Sequence, residues 1–369
     1  MKSFKYGCVV DGAWYCGRRT LERELARFLE DGQNVVIMGE RRMGKTSLVF
    51  GTIRGMRGWR QIYIDLMNIR SVEDFCKRIL SAVKEFHQNA SLFEKALKLL
   101  PKLRPVVTHD PITGSFGYSF AVRGEMDPHA IEDVVSMLSA QARKKKVAIV
   151  FDEFQDVLKL PDSAAVLAIL RSRIQFQSDI PYVFTGSIRH QMIDIFDNPD
   201  SPFYKSAVTL GVGRIDRTDF VSFLKSRFTA AKRRTGVGLL EAVLDEVDDI
   251  PGDAQELCEA LCDVTEEKRI VAKEDIDRAL KIVYAREGDK FESFIARLSP
   301  IQMKFLIAMA RRGGKNVQSG EFLADAGISN TASVRRALTR LEELRLIYCY
   351  RGEWRFNSTF FASWLRRFA

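Results

Sequence analysis

Residues 39–47 constrain the fold of this chain more than any other part of its 369-residue sequence. They read Gly-Glu-Arg-Arg-Met-Gly-Lys-Thr-Ser and fit the pattern G-x-x-x-x-G-K-[ST] at every fixed position. An apolar run leads directly into the pattern, and a helical pattern follows it, with its positive dipole end toward the loop. This context predicts a phosphate-binding loop and disfavours the alternative, a glycine-rich turn without a ligand.

Each residue type in that pattern has a chemical reason. Glycines let backbone N–H groups surround the phosphates of a nucleotide, Lys45 reaches the β- and γ-phosphates, and the Thr46 hydroxyl binds Mg²⁺. The sequence therefore predicts that the chain binds ATP together with Mg²⁺. The predicted nucleotide-binding residues are Gly39, Glu40, Arg41, Arg42, Met43, Gly44, Lys45, Thr46 and Ser47.

Short apolar runs alternate with amphipathic stretches between residues 32 and 211. Several runs are apolar at consecutive positions, as strands buried on both faces must be. The alternation predicts an α/β fold with an open, mostly parallel sheet. The predicted strands are residues 34–38, 61–66, 147–151, 182–184 and 207–210, and the predicted helices are residues 46–56, 71–86, 128–143 and 164–175.

Two acidic residues, Asp152 and Glu153, directly follow the apolar run 147–151. Ligands bind at the carboxyl ends of strands in open α/β sheets. We expect Asp152 to hold Mg²⁺ through water and Glu153 to polarise an attacking water. Alone, the pair is also typical of any buried strand that ends in acids. Together with the loop it predicts three catalytic residues, Lys45, Asp152 and Glu153.

Two hydroxyl residues, Thr185 and Ser187, end the apolar run 182–184. A hydroxyl there could contact the γ-phosphate or the attacking water and so report the nucleotide state. A strand followed by an ordinary turn is the alternative.

At this point the chain resembles a family, the archaeal-type ATPases of the STAND branch of AAA-like P-loop proteins. The resemblance covers nearly the whole length. Besides residues 39–48, it rests on Phe4-Lys5-Tyr6-Gly7, Tyr15-Cys16-Gly17-Arg18, Phe151-Asp152-Glu153-Phe154-Gln155, Thr185-Gly186-Ser187, Ser201-Pro202-Phe203-Tyr204 and Pro251-Gly252-Asp253-Ala254-Gln255.

The resemblance implies an ASCE-type core, a helical lid and a C-terminal winged helix. It implies that ATP drives a conformational or assembly switch with slow turnover. It also implies that the lid faces the nucleotide from residue 251 onward, where Asp253 stands in place of the usual aromatic residue or proline. The adenine-proximal residues that it implies are Tyr15, Cys16, Gly17, Arg18, Pro251 and Gly252.

The expected domains are an ATPase core at 1–212, a helical lid at 213–290 and a winged-helix domain at 291–369. Residues 104–122 read as a hairpin inserted into the core.

An arginine completes many ATP-hydrolysing sites, because the transition state places charge on the γ-phosphate. Arg171, Arg173 and Arg189 lie in a suitable part of the chain, although surface solvation explains each of them equally well.

The last part of the chain is basic. Residues 301–369 hold 12 basic and five acidic residues, a net charge of +7, out of +9 for the whole chain. Three helical patterns and a hairpin pattern there predict a winged helix-turn-helix. The predicted DNA-contact residues are Arg335, Arg336, Arg340 and Arg351. The alternatives are that this domain packs on its own nucleotide domain or binds protein, and that the arginines are simply solvated.

The N-terminal residues lack the apolar block of a signal peptide, and no run of about 18 apolar residues could span a membrane. We expect a cytoplasmic protein without a membrane partner. Six scattered cysteines and four isolated histidines form no metal-ligand pattern.

The first functional hypothesis is an ATP-driven switch whose output is a protein partner or a homo-oligomer. The second is a DNA-binding ATPase that acts as a transposition or replication-type helper or as a regulator. The third is a nucleotide-binding scaffold that does not hydrolyse ATP, which the presence of Asp152 and Glu153 argues against.

Overall fold

The computed structural model describes residues 3–87, 103–109, 116–122, 130–143, 146–350 and 352–368. The chain divides into two units. The sheet unit comprises Gly17–Glu40 and Lys45–Gly213, and the helical unit comprises Met1–Cys16, Arg41–Gly44 and Arg214–Ala369. The expected domain borders at 212 and 290 remain predictions.

A five-stranded, fully parallel sheet forms the centre of the sheet unit. Strands β1, β5 and β6 are buried at every position, which explains why their sequences show no polar alternation. The spatial order is β2-β5-β6-β1-β7. The strands are β1 (Val35–Met38), β2 (Arg60–Asp65), β5 (Val147–Asp152), β6 (Tyr182–Gly186) and β7 (Val208–Gly211). Each lies within two residues of a predicted strand.

The described helices of the sheet unit carry buried apolar side chains, and all but the first two of them share one core with the strands. They are α1 (Arg19–Glu30), α2 (Lys45–Gly55), α3 (Val72–His87), α4 (Ala130–Ala142), α5 (Ser163–Ile174) and α6 (Arg189–Phe196). Residues 128 and 129, the first two of one predicted helix, lie outside the described residues. A 3₁₀ helix, Phe154–Lys159, follows β5 directly.

An aromatic cluster fixes the chain just beyond β5. The Phe154 ring lies 4.7 Å from the Phe184 ring and 5.6 Å from the Phe203 ring, measured between centroids. All three rings are buried. Because Phe154 is anchored in this way, the turn at residues 152 and 153 is held against the end of the sheet.

The inserted hairpin is present. Strand β3 (Leu103–His109) pairs antiparallel with β4 (Phe116–Val122), from Leu103 opposite Val122 to His109 opposite Phe116. Residues 110–115, which connect the two strands, lie outside the described residues.

Helices dominate the helical unit, as the sequence predicts after residue 213. They include α7 (Arg217–Ala230), α8 (Leu239–Glu246), α9 (Pro251–Val264) and α10 (Asp275–Ile295). Helix α10 continues through residue 290, because Phe291 is buried and extends its apolar face. Two parallel two-residue strands, β8 (Arg234–Thr235) and β9 (Ile270–Val271), are too short to produce a periodic pattern and were not predicted.

The C-terminal part has the predicted three helices and hairpin. Ser299 caps the first helix in a capping box with Gln302. The helices are α11 (Pro300–Arg312), α12 (Gly320–Ala326) and α13 (Thr331–Glu343), followed by β10 (Ile347–Tyr350) paired with β11 (Glu353–Phe356). Sequence reasoning missed helix α14 (Thr359–Phe368). Its signal is the spacing of Phe360, Phe361, Trp364 and Leu365 on one face.

One continuous apolar core extends through the helical unit, from α7 to α14. Within the described residues, no helix combines the length and the apolar character that a membrane crossing requires.

Candidate functional site

The carboxyl ends of β1, β5 and β6 lie at one edge of the sheet. Met38 pairs with Gly186, and Phe151 pairs with Phe184 in the neighbouring strand, so the carboxyl-terminal residues of the three strands lie within about two positions of one another along the sheet. The predicted residues of the sheet unit therefore meet at the edge where open α/β sheets bind ligands.

The phosphate loop begins at β1. An added Cβ on Gly39 would lie 2.5 Å from the Val212 carbonyl oxygen, so only glycine fits there. Gly44 has φ +83°, a conformation that side chains disfavour. The Lys45 ammonium, with the residue 6% exposed, donates to the carbonyl oxygens of Gly39 (2.9 Å) and Glu40 (3.0 Å). A positive charge thus lies inside the loop that the sequence predicts.

Asp152 is the centre of the hydroxyl network. The residue is 7% exposed, and its Oδ2 accepts hydrogen bonds from Thr46 Oγ1 (2.8 Å) and the Tyr63 hydroxyl (2.7 Å). Its Oδ1 accepts from Thr185 Oγ1 and from the Glu153 backbone N–H (3.0 Å). A buried carboxylate is tolerated only with such partners, so its geometry is fixed before any ligand arrives.

Glu153 is held by its backbone and by its side chain. Its φ of +52° and ψ of +44° lie in the left-handed region, which is rare for a residue other than glycine. Its Oε2 accepts hydrogen bonds from Ser187 Oγ (2.6 Å) and Gln155 Nε2 (2.5 Å). Both donors act on the same carboxylate oxygen, which orients the other oxygen, Oε1.

Two members of this network were not predicted as site residues, Tyr63 and Gln155. Tyr63 lies on β2, next to β5, and burial together with the charge of Asp152 raises the pKa of its hydroxyl well above 10. Gln155 is 1% exposed and lies two residues after Glu153. A polar residue two positions after an acidic strand end is a usable signal for Gln155. Tyr63 has no such local signal, because only the order of strands in the sheet brings it next to Asp152.

The remaining loop residues belong to different surroundings. Glu40, Met43 and Ser47 are buried, and Arg41 is exposed. Arg42 lies in the helical unit, where its guanidinium pairs with Asp253 (2.7 Å) and Glu256 (2.6 Å).

The adenine-proximal candidates divide between the units. Tyr15 and Cys16 lie in the helical unit and are half-buried, and Cys16 packs against its apolar core. Gly17 and Arg18 lie in the sheet unit, where Arg18 Nη1 donates to the Gly213 carbonyl. In the helical unit, Pro251 opens α9 and Gly252 contacts Arg42. Their role toward adenine remains a prediction.

The candidate arginines have individual surroundings. Arg173 pairs with Glu132, Arg171 is half-buried and Arg189 is exposed. None of these observations selects one of them for the γ-phosphate.

The predicted nucleic-acid face lies on α13. Val334, Ala337, Leu338 and Leu341 are buried and Leu344 is half-buried, so these residues form the apolar face of α13. Arg335, Arg336 and Arg340 are exposed; Arg335 contacts Gln318 (3.4 Å) and Arg340 pairs with Glu343 (2.9 Å). Arg351 lies outside the described residues.

Two parts of the chain match models of known protein families. Residues 27–192 match the family model of an AAA domain, and residues 289–367 match that of a probable winged helix domain. No curated protein sequence matches at a significant level.

Several solved structures share the fold. A Walker-type ATPase of Pyrococcus abyssi is 18% identical, covers 96% of both chains and has a TM-score of 0.67. The Orc2 protein of Aeropyrum pernix is 15% identical over 94% of this chain and 91% of that chain, with a TM-score of 0.57. The Orc1 protein of the same organism, solved in complex with DNA, is 15% identical over 94% and 90%, with a TM-score of 0.54.

The sheet order, the buried strands and these likenesses confirm the predicted fold class. The chain has a P-loop, AAA-like sheet core followed by a C-terminal winged helix domain.

Proposed function

We propose that the chain binds and hydrolyses Mg-ATP and that this reaction drives a conformational or assembly switch with the winged helix as its output. The observation that carries the proposal is the contact between Thr46 and Asp152, with Glu153 held beside it. These residues come from distant parts of the sequence and perform linked roles in phosphoryl transfer.

The residues present suit Mg²⁺. The Thr46 hydroxyl and the Asp152 carboxylate lie 2.8 Å apart, and both supply the oxygen ligands that Mg²⁺ prefers. When bound with ATP, Mg²⁺ neutralises charge that develops on the phosphates. Thr46 would bind it directly and Asp152 would hold it through water.

Lys45 would act on the phosphates, and Glu153 would act on the attacking water. Lys45 would exchange its carbonyl contacts for the β- and γ-phosphates, because an ammonium binds a phosphate more strongly than a neutral carbonyl. Glu153, oriented by Ser187 and Gln155, would accept a proton from the attacking water through Oε1. Thr185 and Ser187 would thereby connect the state of the γ-phosphate to β6.

We assign to the winged helix the role of passing the conformational change on to a partner. The reason is that the winged helix shares one apolar core with α7 to α10. We further propose that turnover is slow, that the protein is cytoplasmic, and that a protein partner or a second copy of the chain receives the signal. As the resemblance implies, the residues proposed to lie near the adenine are Tyr15, Cys16, Gly17, Arg18, Pro251 and Gly252.

A second candidate output is duplex DNA. The exposed arginines of α13 favour it, because cations on the recognition helix of a winged helix contact phosphates. The Orc1 protein of Aeropyrum pernix was solved in complex with DNA, which supports the same proposal for this chain.

The test is steady-state ATP hydrolysis by the wild type and the Glu153→Gln variant, with and without duplex DNA, at two salt concentrations. Glu153→Gln is expected to abolish turnover and to retain ATP, whereas Lys45→Ala is expected to weaken ATP binding. Unchanged turnover in Glu153→Gln contradicts the catalytic assignment. A wild type that binds ATP without hydrolysing it supports the scaffold alternative.

The DNA arms distinguish the two outputs. Turnover that rises with DNA and falls with salt assigns the winged helix to nucleic acid. Turnover that depends on Glu153 but not on DNA assigns it to a protein partner or self-assembly.

A further inference from the structure

Arg42, in the middle of the phosphate loop, is engaged by two carboxylates of helix α9. Its Nη1 lies 2.7 Å from Asp253 Oδ1, and its Nη2 donates to Glu256 Oε2 at 2.6 Å. The Asp253 contact is an ion pair without good hydrogen-bond alignment, since Oδ1 accepts no aligned N–H. Arg42 is therefore held by hydrogen bonds from Nη2 to Glu256 and to the Gly252 carbonyl (3.3 Å), and by charge toward Asp253.

The backbone of Arg42 also contacts the start of helix α9. The Gly252 N–H donates to the Arg42 carbonyl at 3.2 Å, and an added Cβ on Gly252 would lie 3.0 Å from the Arg42 Cβ. Arg42 has φ +61°, which costs about 1 kcal/mol for a residue other than glycine. The contacts with α9 compensate for this local cost.

Asp253 continues the connection into the C-terminal domain. It is 3% exposed, and its Oδ2 accepts a hydrogen bond from Thr359 Oγ1, at the first residue of α14. The carboxylate thus lies at the N-terminal ends of both α9 and α14, where a negative charge is favoured. Burial raises the pKa of Asp253, opposed by the charge of Arg42, so this carboxylate depends on its cation.

We propose that Arg42, Asp253 and Thr359 form a nucleotide-sensitive latch, in which ATP in the phosphate loop weakens the Arg42–Asp253 pair and thereby loosens helix α14. This inference rests on the proposed ATP binding. The triphosphate is a polyanion that competes with Asp253 and Glu256 for the Arg42 cation and repels both carboxylates. Because the latch and ATP oppose each other, opening the latch must strengthen ATP binding by the factor by which ATP opens it.

The test uses the full chain and two measurements that do not require turnover. The first is equilibrium binding of a non-hydrolysable ATP analogue with Mg²⁺, and the second is hydrogen exchange of residues 359–368. The variants are Thr359→Val and Asp253→Asn. The matched control is Thr331→Val, since Thr331 is the exposed first residue of α13.

In the wild type, the analogue is expected to raise exchange in residues 359–368 about fivefold. Thr359→Val is expected to raise exchange without nucleotide, to lose most of the further increase, and to bind the analogue about fivefold more tightly. Asp253→Asn should act in the same direction, and Thr331→Val should match the wild type.

Wild-type exchange that is indifferent to a bound analogue overturns the latch and leaves the proposed ATPase function intact. A normal exchange response in Thr359→Val, or weaker binding by that variant, also overturns it. If Asp253→Asn does not fold, Thr359→Val decides alone, because it removes one hydroxyl and keeps the shape of the side chain. A wild type that does not bind the analogue refutes both the latch and the proposed function.

Discussion

The Ser187 hydroxyl oxygen lies 2.6 Å from Oε2 of Glu153, across 34 positions of sequence. The contact exists because β5 and β6 are neighbours in the sheet and their carboxyl ends coincide. It turns a strand-end serine into a residue that orients the proposed base.

Ser187→Ala is expected to lower kcat about tenfold and to change KM less than about twofold, since a base that is oriented poorly affects the transition state more than substrate binding. Steady-state ATP hydrolysis measures both constants. Ser172→Ala is the control, because Ser172 Oγ donates only to a carbonyl of its own helix, at Ile169. Equal loss in the two variants would show that Ser187 has no positioning role.

Gly186→Ala is expected to reduce turnover at least about tenfold, because the new Cβ would lie 2.7 Å from Gln155 Oε1 and 2.4 Å from Met192 Sδ. Moving Gln155 breaks its hydrogen bond to Glu153. The matched control is Gly211→Ala, on the edge strand β7, where an added Cβ meets nothing within 4 Å. Full activity in Gly186→Ala would mean that the Gln155–Glu153 contact is not needed.

Glu246→Gln is expected to destabilise the helical unit by about 2 kcal/mol, because Glu246 accepts charged hydrogen bonds from Arg366 and Arg367 of α14. Denaturant unfolding at neutral pH, followed by tryptophan fluorescence, measures the change. Asp277→Asn is the control, since Asp277 also pairs with Arg367 but is 73% exposed. A loss no larger than that of the control would contradict the assigned anchor.

The same carboxylate predicts a pH dependence. Burial opposes its charge, yet hydrogen bonds from Arg367 and Ser363 and the charge of Arg367 lower the pKa of Glu246 in the folded state. The stabilisation is therefore present above the unfolded-state pKa of about 4.3 and is lost as the pH falls through the lower folded-state value. Unfolding at a series of acidic pH values should show a smaller loss in Glu246→Gln than in the wild type; parallel curves would exclude this contribution.

If duplex DNA is the output, replacing Arg335 and Arg336 together by glutamine should weaken binding similarly for all sequences. The slope of log affinity against log salt should fall by about two, one for each phosphate contact. Fluorescence anisotropy with a labelled duplex measures both quantities. Lys225→Gln, an exposed cation of α7, is the control. An unchanged salt slope would remove α13 from the DNA interface.

Much of the fold could be predicted because its signals are local. Uninterrupted apolar runs identify buried parallel strands, and Ser299-Pro300 marks the start of α11. Helix α14 was missed although its aromatic spacing is regular, because it lies beyond the hairpin with which the predicted winged helix ends. The strands β8 and β9 are two residues long, so no period can reveal them.

By itself, the sequence determined the phosphate loop, the acidic strand end and the order of helices and strands, because each depends on residue types at fixed short spacings. Only the tertiary structure decided that Tyr63 and Thr185 share Asp152, and that Asp253 joins Arg42 to Thr359. Those contacts join residues from 33 to over 200 positions apart. These contacts depend on the order of strands in the sheet and on the packing of helices. Neither arrangement produces a repeating pattern of residue types in the sequence.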